Sequence, residues 1–238
     1  MPATAVRRRR DAGQAFPLYI VAVGGLLFLA LAFFAVGQAA ASRNGAQTAA
    51  DAAALAAGQK YRDLLTEDLL DGLRDGSYES NPAAWKDLLS ARGAQSAPAC
   101  ASAGWFAGRN GAALSGRGSG CTPGSWPTSF AVEVTTSKPV GDSVIPETSS
   151  AHAEAGAKSV VAPRCTLDPA EDDPDAPDGK GGGGGKDDGG GKGGKGGKGE
   201  DDAAPLDLTC DGKHWKLDPD DLRDLPGAAD LFSVRLAR

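Results

Sequence analysis

The sequence has few of the side chains from which enzymes build catalytic or metal sites. It contains 2 histidines in 238 residues, His152 and His214, and they are far apart in the chain. The patterns Gly-x-Ser-x-Gly, His-Glu-x-x-His and Cys-x-x-Cys do not occur. Isolated histidines of this kind usually lie on the surface, which is what we expect here. We therefore expect no catalytic residue, no metal or cofactor site and no small-molecule substrate.

The sequence also lacks an excess of basic residues, which excludes a strongly basic nucleic-acid-binding protein. Its formal net charge is −6. The stretch 166–204 holds 11 acidic residues against 5 lysines, which accounts for the whole net charge. It also contains 14 of the 34 glycines. Such a composition cannot bury a core, so we expect 168–204 to be a disordered, low-complexity insert of Gly, Lys and Asp.

One long segment lacks charge altogether. From Phe16 to Val36 the chain is apolar, and as a helix this segment would span about 31 Å, close to the ~30 Å hydrocarbon core of a bilayer. Only Arg43 follows it closely, whereas four consecutive basic residues precede it. These are Arg7, Arg8, Arg9 and Arg10. The positive-inside bias predicts a single pass through the cell membrane, with a cytoplasmic N-terminus and an extracytoplasmic C-terminal domain.

A cleaved signal peptide is the alternative interpretation of this segment. Ala39-Ala40-Ala41 is an acceptable small-residue cleavage site. However, the apolar run is longer than the roughly 7–15 residues of a signal peptide, and a helical pattern continues past Ala41. A retained membrane anchor is therefore favoured.

Beyond the membrane segment the pattern predicts further helix. Alanine, the best helix former, dominates as far as Gln59, although Gly45 should weaken the helix locally. An amphipathic stripe follows and ends at Asp75-Gly76. The stripe consists of Tyr61, Leu65, Leu69 and Leu73.

Two shorter helices are predicted next. Asn81-Pro82 is typical of a helix start, and Gly93 is the expected stop of that helix. Its buried face would contain Trp85, Leu88 and Leu89. A third helical piece would contain Cys100 and Phe106 and end at Asn110-Gly111.

The period then changes to that of strands. Phe130, Val132 and Val134 alternate with polar or small residues, alternation returns from Ser150 to Val161, and 231–236 resembles a last strand. Long helix first and antiparallel strands later predict an α+β fold. The expected organisation is a cytoplasmic N-terminus 1–15, a transmembrane helix 16–36, its extracytoplasmic continuation 37–76, and a small domain 77–238 interrupted at 168–204.

The chain has four cysteines, all on the predicted outer side, where disulfides persist. Three pairings are possible, and we favour Cys100–Cys121 with Cys165–Cys210 because pairing of sequence neighbours suits a meander. The alternative is four free buried thiols. The second bridge would bring the ends of the polar insert together, so that the insert becomes a loop within one domain and not a linker between two.

One motif extends from Gly13 to Gly58. Gly13-Gln14-Ala15-Phe16 leads into the apolar helix, and an alanine-rich stretch with the core Asp-Ala-Ala-Ala-Leu-Ala-Ala follows it. The motif residues are Gly13, Asn44, Gln47, Asp51 and Leu55. This segment resembles the N-terminal segment of TadG-like Flp-pilus assembly proteins, which belong to the TadE/TadG-like group of the tight-adherence machinery. The resemblance implies a pilin-like membrane protein whose N-terminal helix contacts other membrane-embedded pilus or secretion components.

The sequence departs from Flp-type pilins at one position. Those proteins are trimmed after a glycine that has a glutamate five residues later, followed by tyrosine. Counting from Gly13, that position is Leu18, followed by Tyr19. The missing carboxylate favours an untrimmed, membrane-anchored accessory protein over a filament subunit.

Two functions therefore compete. The first is a non-enzymatic, pilin-like accessory or assembly component of a Tad/Flp pilus or secretion apparatus, with the alanine-rich helix as its partner surface. The second is a membrane-tethered binding module that faces the cell wall or an external ligand. For the second, Trp105, Trp126 and Trp215 could line a groove, although tryptophans in a small domain usually lie in the core.

Overall fold

The computed structural model describes residues 15–140, 150–167, 206–219, 221 and 223–237. In these residues one long helix precedes short helices and antiparallel strands, so the predicted α+β class is confirmed. The helices are α1 (Ala15–Arg74), α2 (Ser77–Ser80), α3 (Pro82–Leu89), α4 (Ser96–Arg109) and α5 (Ala228–Leu231). The strands are β1 (Ala112–Leu114), β2 (Cys121–Ser125), β3 (Thr128–Thr136), β4 (Glu154–Pro163), β5 (Cys165–Leu167), β6 (Leu206–Cys210), β7 (Lys213–Leu217) and β8 (Phe232–Leu236).

Helix α1 is continuous for 60 residues, about 90 Å at 1.5 Å per residue. Its alanine-rich middle explains why the membrane segment and the amphipathic stripe form one helix. Gly45 does not interrupt it. The helix ends just before Gly76, whose φ of 72° is a left-handed conformation that glycine adopts without a Cβ penalty. The predicted end at Asp75-Gly76 is confirmed.

The first sheet is antiparallel, with β3 and β4 at its centre. Strands β1 and β2 lie one after the other along one edge of β3, while β8 pairs with the far side of β4. Phe130, Val132 and Val134 of β3 are buried and their neighbours Ala131 and Glu133 are exposed, as predicted. Strand β8 begins one residue later than expected, because α5 ends immediately before it.

The second half of α1 forms the core of the domain, because it packs against β3, β4, β8 and α4. Small residues allow this close approach. A Cβ built on Gly58 would lie 2.6 Å from Val234 Cγ1 and 3.0 Å from Ser159 Oγ. Three residues further on, the Tyr61 and Phe130 ring centroids are 5.2 Å apart. The helical segment 37–76 therefore supplies buried side chains to the same core as 77–238.

Helix α3 begins as predicted and ends earlier. The Asn81 side chain accepts a hydrogen bond from the Ala84 amide at 3.2 Å, which caps the helix. Trp85 is buried and its Nε1 donates to the Leu69 carbonyl at 3.3 Å. The expected stop at Gly93 is wrong, because Ala91, with a φ of 59°, leaves the helical conformation first.

Helix α4 ends at Asn110-Gly111 as predicted. Its buried side is made of alanines, which lets it lie close to α1. These are Ala99, Ala103 and Ala107. Phe106, which shares this helix with Cys100, is exposed.

A small second sheet has the order β5-β6-β7. Asp211 and Gly212 join β6 to β7 with φ values of 48° and 82°, the two-residue turn that Asp-Gly favours in hairpins. Leu167 of β5 pairs with Leu208 of β6, so the flanks of the polar insert meet on neighbouring strands. The predicted insert 168–204 itself lies outside the described residues.

Candidate membrane and interaction surfaces

The first part of α1 exposes a continuous apolar surface. Its large apolar side chains from Phe16 to Val36, such as Leu26 and Phe33, are more than half exposed, except for the half-buried Val23. The first charged residue along the described helix is Arg43, which is exposed. No other described helix is long and apolar enough to cross a membrane. Because water solvates such a surface poorly, a bilayer is its natural environment. Arg7, Arg8, Arg9 and Arg10, which predict the orientation, lie outside the described residues.

The second part of α1 has two different faces between Asn44 and Gln59. The buried face consists of alanines that the sheet and α4 cover, and the expectation that these alanines form a free partner surface is therefore wrong. They are Ala46, Ala49, Ala50, Ala53, Ala54, Ala56 and Ala57. The face that remains open contains the polar residues of the segment and Leu55, and we call it the Leu55 face.

Four of the five predicted motif residues lie on the Leu55 face. Asn44 and Gln47 are exposed, whereas Asp51 and Leu55 are half-buried. Gln47 Nε2 donates to Asp51 Oδ1 at 2.8 Å and also reaches the Gly156 carbonyl at 3.4 Å. The motif thus combines a polar contact with β4 and an accessible apolar side chain. Gly13 lies outside the described residues.

The bare apolar segment and the alanine-rich segment that follows it belong to one unbroken helix. Residues 13–60 match the family model of putative Flp pilus-assembly TadE/G-like proteins. The match covers about a fifth of the chain and confirms the resemblance for this segment. No curated protein and no solved structure matches the chain.

Two disulfides stabilise the part of the domain that follows the matched segment 13–60, which we call the TadE/G-like segment. Cys100 of α4 is bonded to Cys121 of β2, and their Cα atoms are 5.7 Å apart. Cys165 and Cys210 face each other on β5 and β6, with Cα atoms 4.0 Å apart. Both predicted pairings are confirmed, and none of the cysteines is free.

The two histidines lie on different elements, with His152 beside the end of β3 and His214 on β7 of the second sheet. His152 Nδ1 is 2.6 Å from the Thr136 carbonyl oxygen, and His214 Nδ1 is 2.9 Å from Thr209 Oγ1. Both side chains are exposed, as expected. The described residues contain no group of three or more His, Cys, Asp and Glu that could hold a metal ion.

The tryptophans Trp105, Trp126 and Trp215 are more exposed than expected, since a position in the core was predicted for them. Trp126 is 80% exposed and Trp105 is 60% exposed, so neither is a core residue, while Trp215 is half-buried. Each ring has a cation beside it. The Arg92 guanidinium lies 4.4 Å from the centroid of the Trp126 ring, and the Arg109 guanidinium lies 5.5 Å from that of Trp105. The Lys213 ammonium lies 3.6 Å from the centroid of the Trp215 ring.

A cleft of about 320 Å³ lies beside Trp126, between the α3–α4 connection and the β2–β3 turn. Tyr61 and Phe130 line it and are buried, and Arg92 lies at the same opening. Burial raises the pKa of Tyr61 above its usual 10.0, and hydrogen bonds with the backbone of Ala94 and Gly93 offset part of that rise. Sequence reasoning missed this cleft, because its residues come from three separate parts of the chain.

Proposed function

We propose that the protein is a non-enzymatic, single-pass membrane protein and a pilin-like accessory component of a Tad/Flp-type pilus or secretion apparatus. The main support is that the TadE/G-like match coincides with one unbroken helix, apolar and bare up to Val36 and buried in its own domain from Ala46 onward. Such a helix suits a protein that is fixed in the bilayer and displays a folded domain directly above it.

The proposed topology has the N-terminus in the cytoplasm and the disulfide-bonded domain outside. The four arginines before the apolar segment favour this orientation. Two disulfides in one small domain favour an oxidising compartment. The missing glutamate at Leu18 favours an untrimmed anchor. N-terminal sequencing of the membrane-extracted protein separates the possibilities: a start at Met1 or Pro2 supports the anchor, at Gln14 pilin-type trimming, and at Ser42 a signal peptide.

The proposed partner surface is the apolar membrane segment together with the Leu55 face. The buried alanines of α1 cannot form this partner surface, because the sheet and α4 cover them. Leu55 is the accessible aliphatic residue of the Ala46–Lys60 stretch and stands among polar neighbours. A partner whose helix continues out of the bilayer alongside α1 would meet this side chain about 28 Å beyond Val36.

Co-purification from cross-linked membranes of the native host tests this partner surface. We expect Leu55→Ser to reduce recovery of pilus or secretion components about fivefold, because ~1 kcal/mol of apolar contact is lost. Leu64→Ser is the matched control, since Leu64 is also half-buried on α1 but lies beyond the matched segment. Equal recovery with both variants would count against the proposal. Genes for a secretion ATPase and TadE-like proteins alongside this one would support it.

A second candidate is a membrane-tethered extracytoplasmic binding module, facing the cell wall or an external ligand and unrelated to pili. The exposure of Trp126 beside an open cleft favours it. In that case the same Leu55 substitution leaves the function of the protein unchanged.

A further inference from the structure

The cleft beside Trp126 has the features of a binding site for a hydroxyl-rich ligand. Its inner wall contains the buried rings of Tyr61 and Phe130. Its polar lining consists of hydroxyl groups from Ser96, Ser125 and Thr128, the Arg92 side chain and backbone. One of these groups has a fixed direction, because Thr128 Oγ1 donates to the Ala91 carbonyl at 2.7 Å and therefore offers an acceptor to a ligand.

Trp126 provides a flat apolar surface at the edge of this cleft. It sits in the turn between Ser125 and Thr128, two residues that line the cavity. The Arg92 guanidinium, which also lines the cleft, lies 4.4 Å from the ring centroid, and the indole beside it remains 80% exposed. An indole held in this way loses little entropy when a ligand stacks on it.

The charge around the cleft favours a neutral ligand. Arg92 is the cation that lines the opening, and its guanidinium forms an ion pair with Asp87. The positive charge is therefore compensated within the domain, and an anionic ligand would compete with that pair. A hydrophobic peptide side chain is a weaker match, because the cavity is open to solvent and carries hydroxyl groups beside its apolar wall.

We propose that this cleft binds a neutral glycan of equatorially substituted pyranose rings. The C–H face of such a ring stacks on Trp126, while its hydroxyl groups exchange hydrogen bonds with the serine and threonine hydroxyls and the backbone. If α1 spans a membrane up to Val36, Tyr61 stands about 37 Å further along the helix axis. The cleft then stands outside the bilayer, where surface glycans can reach it.

This inference names a ligand class for the binding-module candidate and is equally compatible with a pilus component. Glycan binding and partner co-purification are measured separately, so the failure of one does not imply failure of the other.

Titration of the full chain in detergent with cellotetraose and chitotetraose tests the proposal. Binding is followed by the tryptophan emission maximum, which moves to shorter wavelength as an exposed indole leaves water. We expect a saturable blue shift with at least one of the two. Trp126→Ala should remove the shift and weaken affinity about tenfold, because stacking on an aromatic ring contributes ~1.5 kcal/mol.

Trp105→Ala is the matched control, because Trp105 is exposed and paired with an arginine but does not line the cleft. It should retain affinity within a factor of two. Ser125→Tyr should fill the cleft while leaving Trp126 in place, and it should also weaken binding. Absence of saturable binding of both oligosaccharides, or equal loss with the two tryptophan variants, would overturn the proposal.

Discussion

Replacing Gly58 with alanine sets two physical effects against each other. Alanine is favoured over glycine within a helix by about 0.8–1.0 kcal/mol. At this position, however, the new Cβ would lie 2.6 Å from Val234 Cγ1 and 3.0 Å from Ser159 Oγ, both on the sheet that packs against α1. Overpacking of this kind costs about 1–3 kcal/mol. We therefore expect Gly58→Ala to lower the free energy of unfolding by about 1 kcal/mol.

Gly45→Ala is the matched control, because it changes the same residue in the same helix where no atom lies within 4 Å of the new Cβ. This variant should be stabilised by about 1 kcal/mol. The two midpoints of thermal unfolding, measured by circular dichroism in the same detergent, should then move in opposite directions by roughly 2–4 °C each. Adding Val234→Ala to Gly58→Ala should give a favourable coupling energy, because it removes the nearer clash.

A result in which both glycine variants are stabilised equally would refute the reasoning. It would mean that α1 and the sheet separate enough to admit a methyl group at no cost. A destabilised Gly45→Ala would instead contradict the helix-propensity part of the argument. The double variant tells these outcomes apart from a general loss of folding.

Three further predictions concern the domain. Cys165→Ser with Cys210→Ser should cost about 4 kcal/mol in the loop-entropy model, measured as urea midpoints with and without reductant; an unchanged midpoint would exclude that contribution. A chain that begins at Ser42 should stay folded and monomeric in gel filtration without detergent, because the buried core starts only afterwards; aggregation would contradict it. The raised pKa of Tyr61 favours its neutral form in the folded state, so the contribution of Tyr61 to stability should be constant below about pH 10 and be lost as pH rises through its folded-state pKa; a Tyr61→Phe variant should lose less of its stability there.

The parts of the fold that the sequence predicted have short-range causes. The helix from the membrane segment to Leu73 follows from apolar and alanine-rich residues in succession, and its end follows from Gly76. The cap at Asn81 and the alternation at Phe130 are equally local. Both disulfide pairings were favoured because each joins two successive cysteines of the chain, as suits a meander.

The remaining features depend on contacts between distant residues. The alanines of α1 look alike in the sequence, and only the packing of β4, β8 and α4 decides which of them are buried. Trp126 is exposed because its turn projects beyond the sheet, which no periodicity indicates. The β6–β7 hairpin is different, since Asp211-Gly212 carries a recognisable turn signal that alternation alone did not reveal.

The unbroken helix also fixes the direction in which the domain faces. Val36 ends the apolar membrane segment and Ala46 is the first buried residue of α1. The chain between them is continuous helix, with no turn about which the domain could rotate independently. If α1 spans a bilayer, rotation of the helix there must turn the Leu55 face and the Trp126 cleft by the same angle. One residue inserted between Val36 and Ala46 would rotate both surfaces about the helix axis by about 100°. Seven inserted residues would return them close to their original orientation and move the domain about 10 Å further along the axis. A partner that binds the helix in the membrane therefore also sets the orientation of the domain outside it.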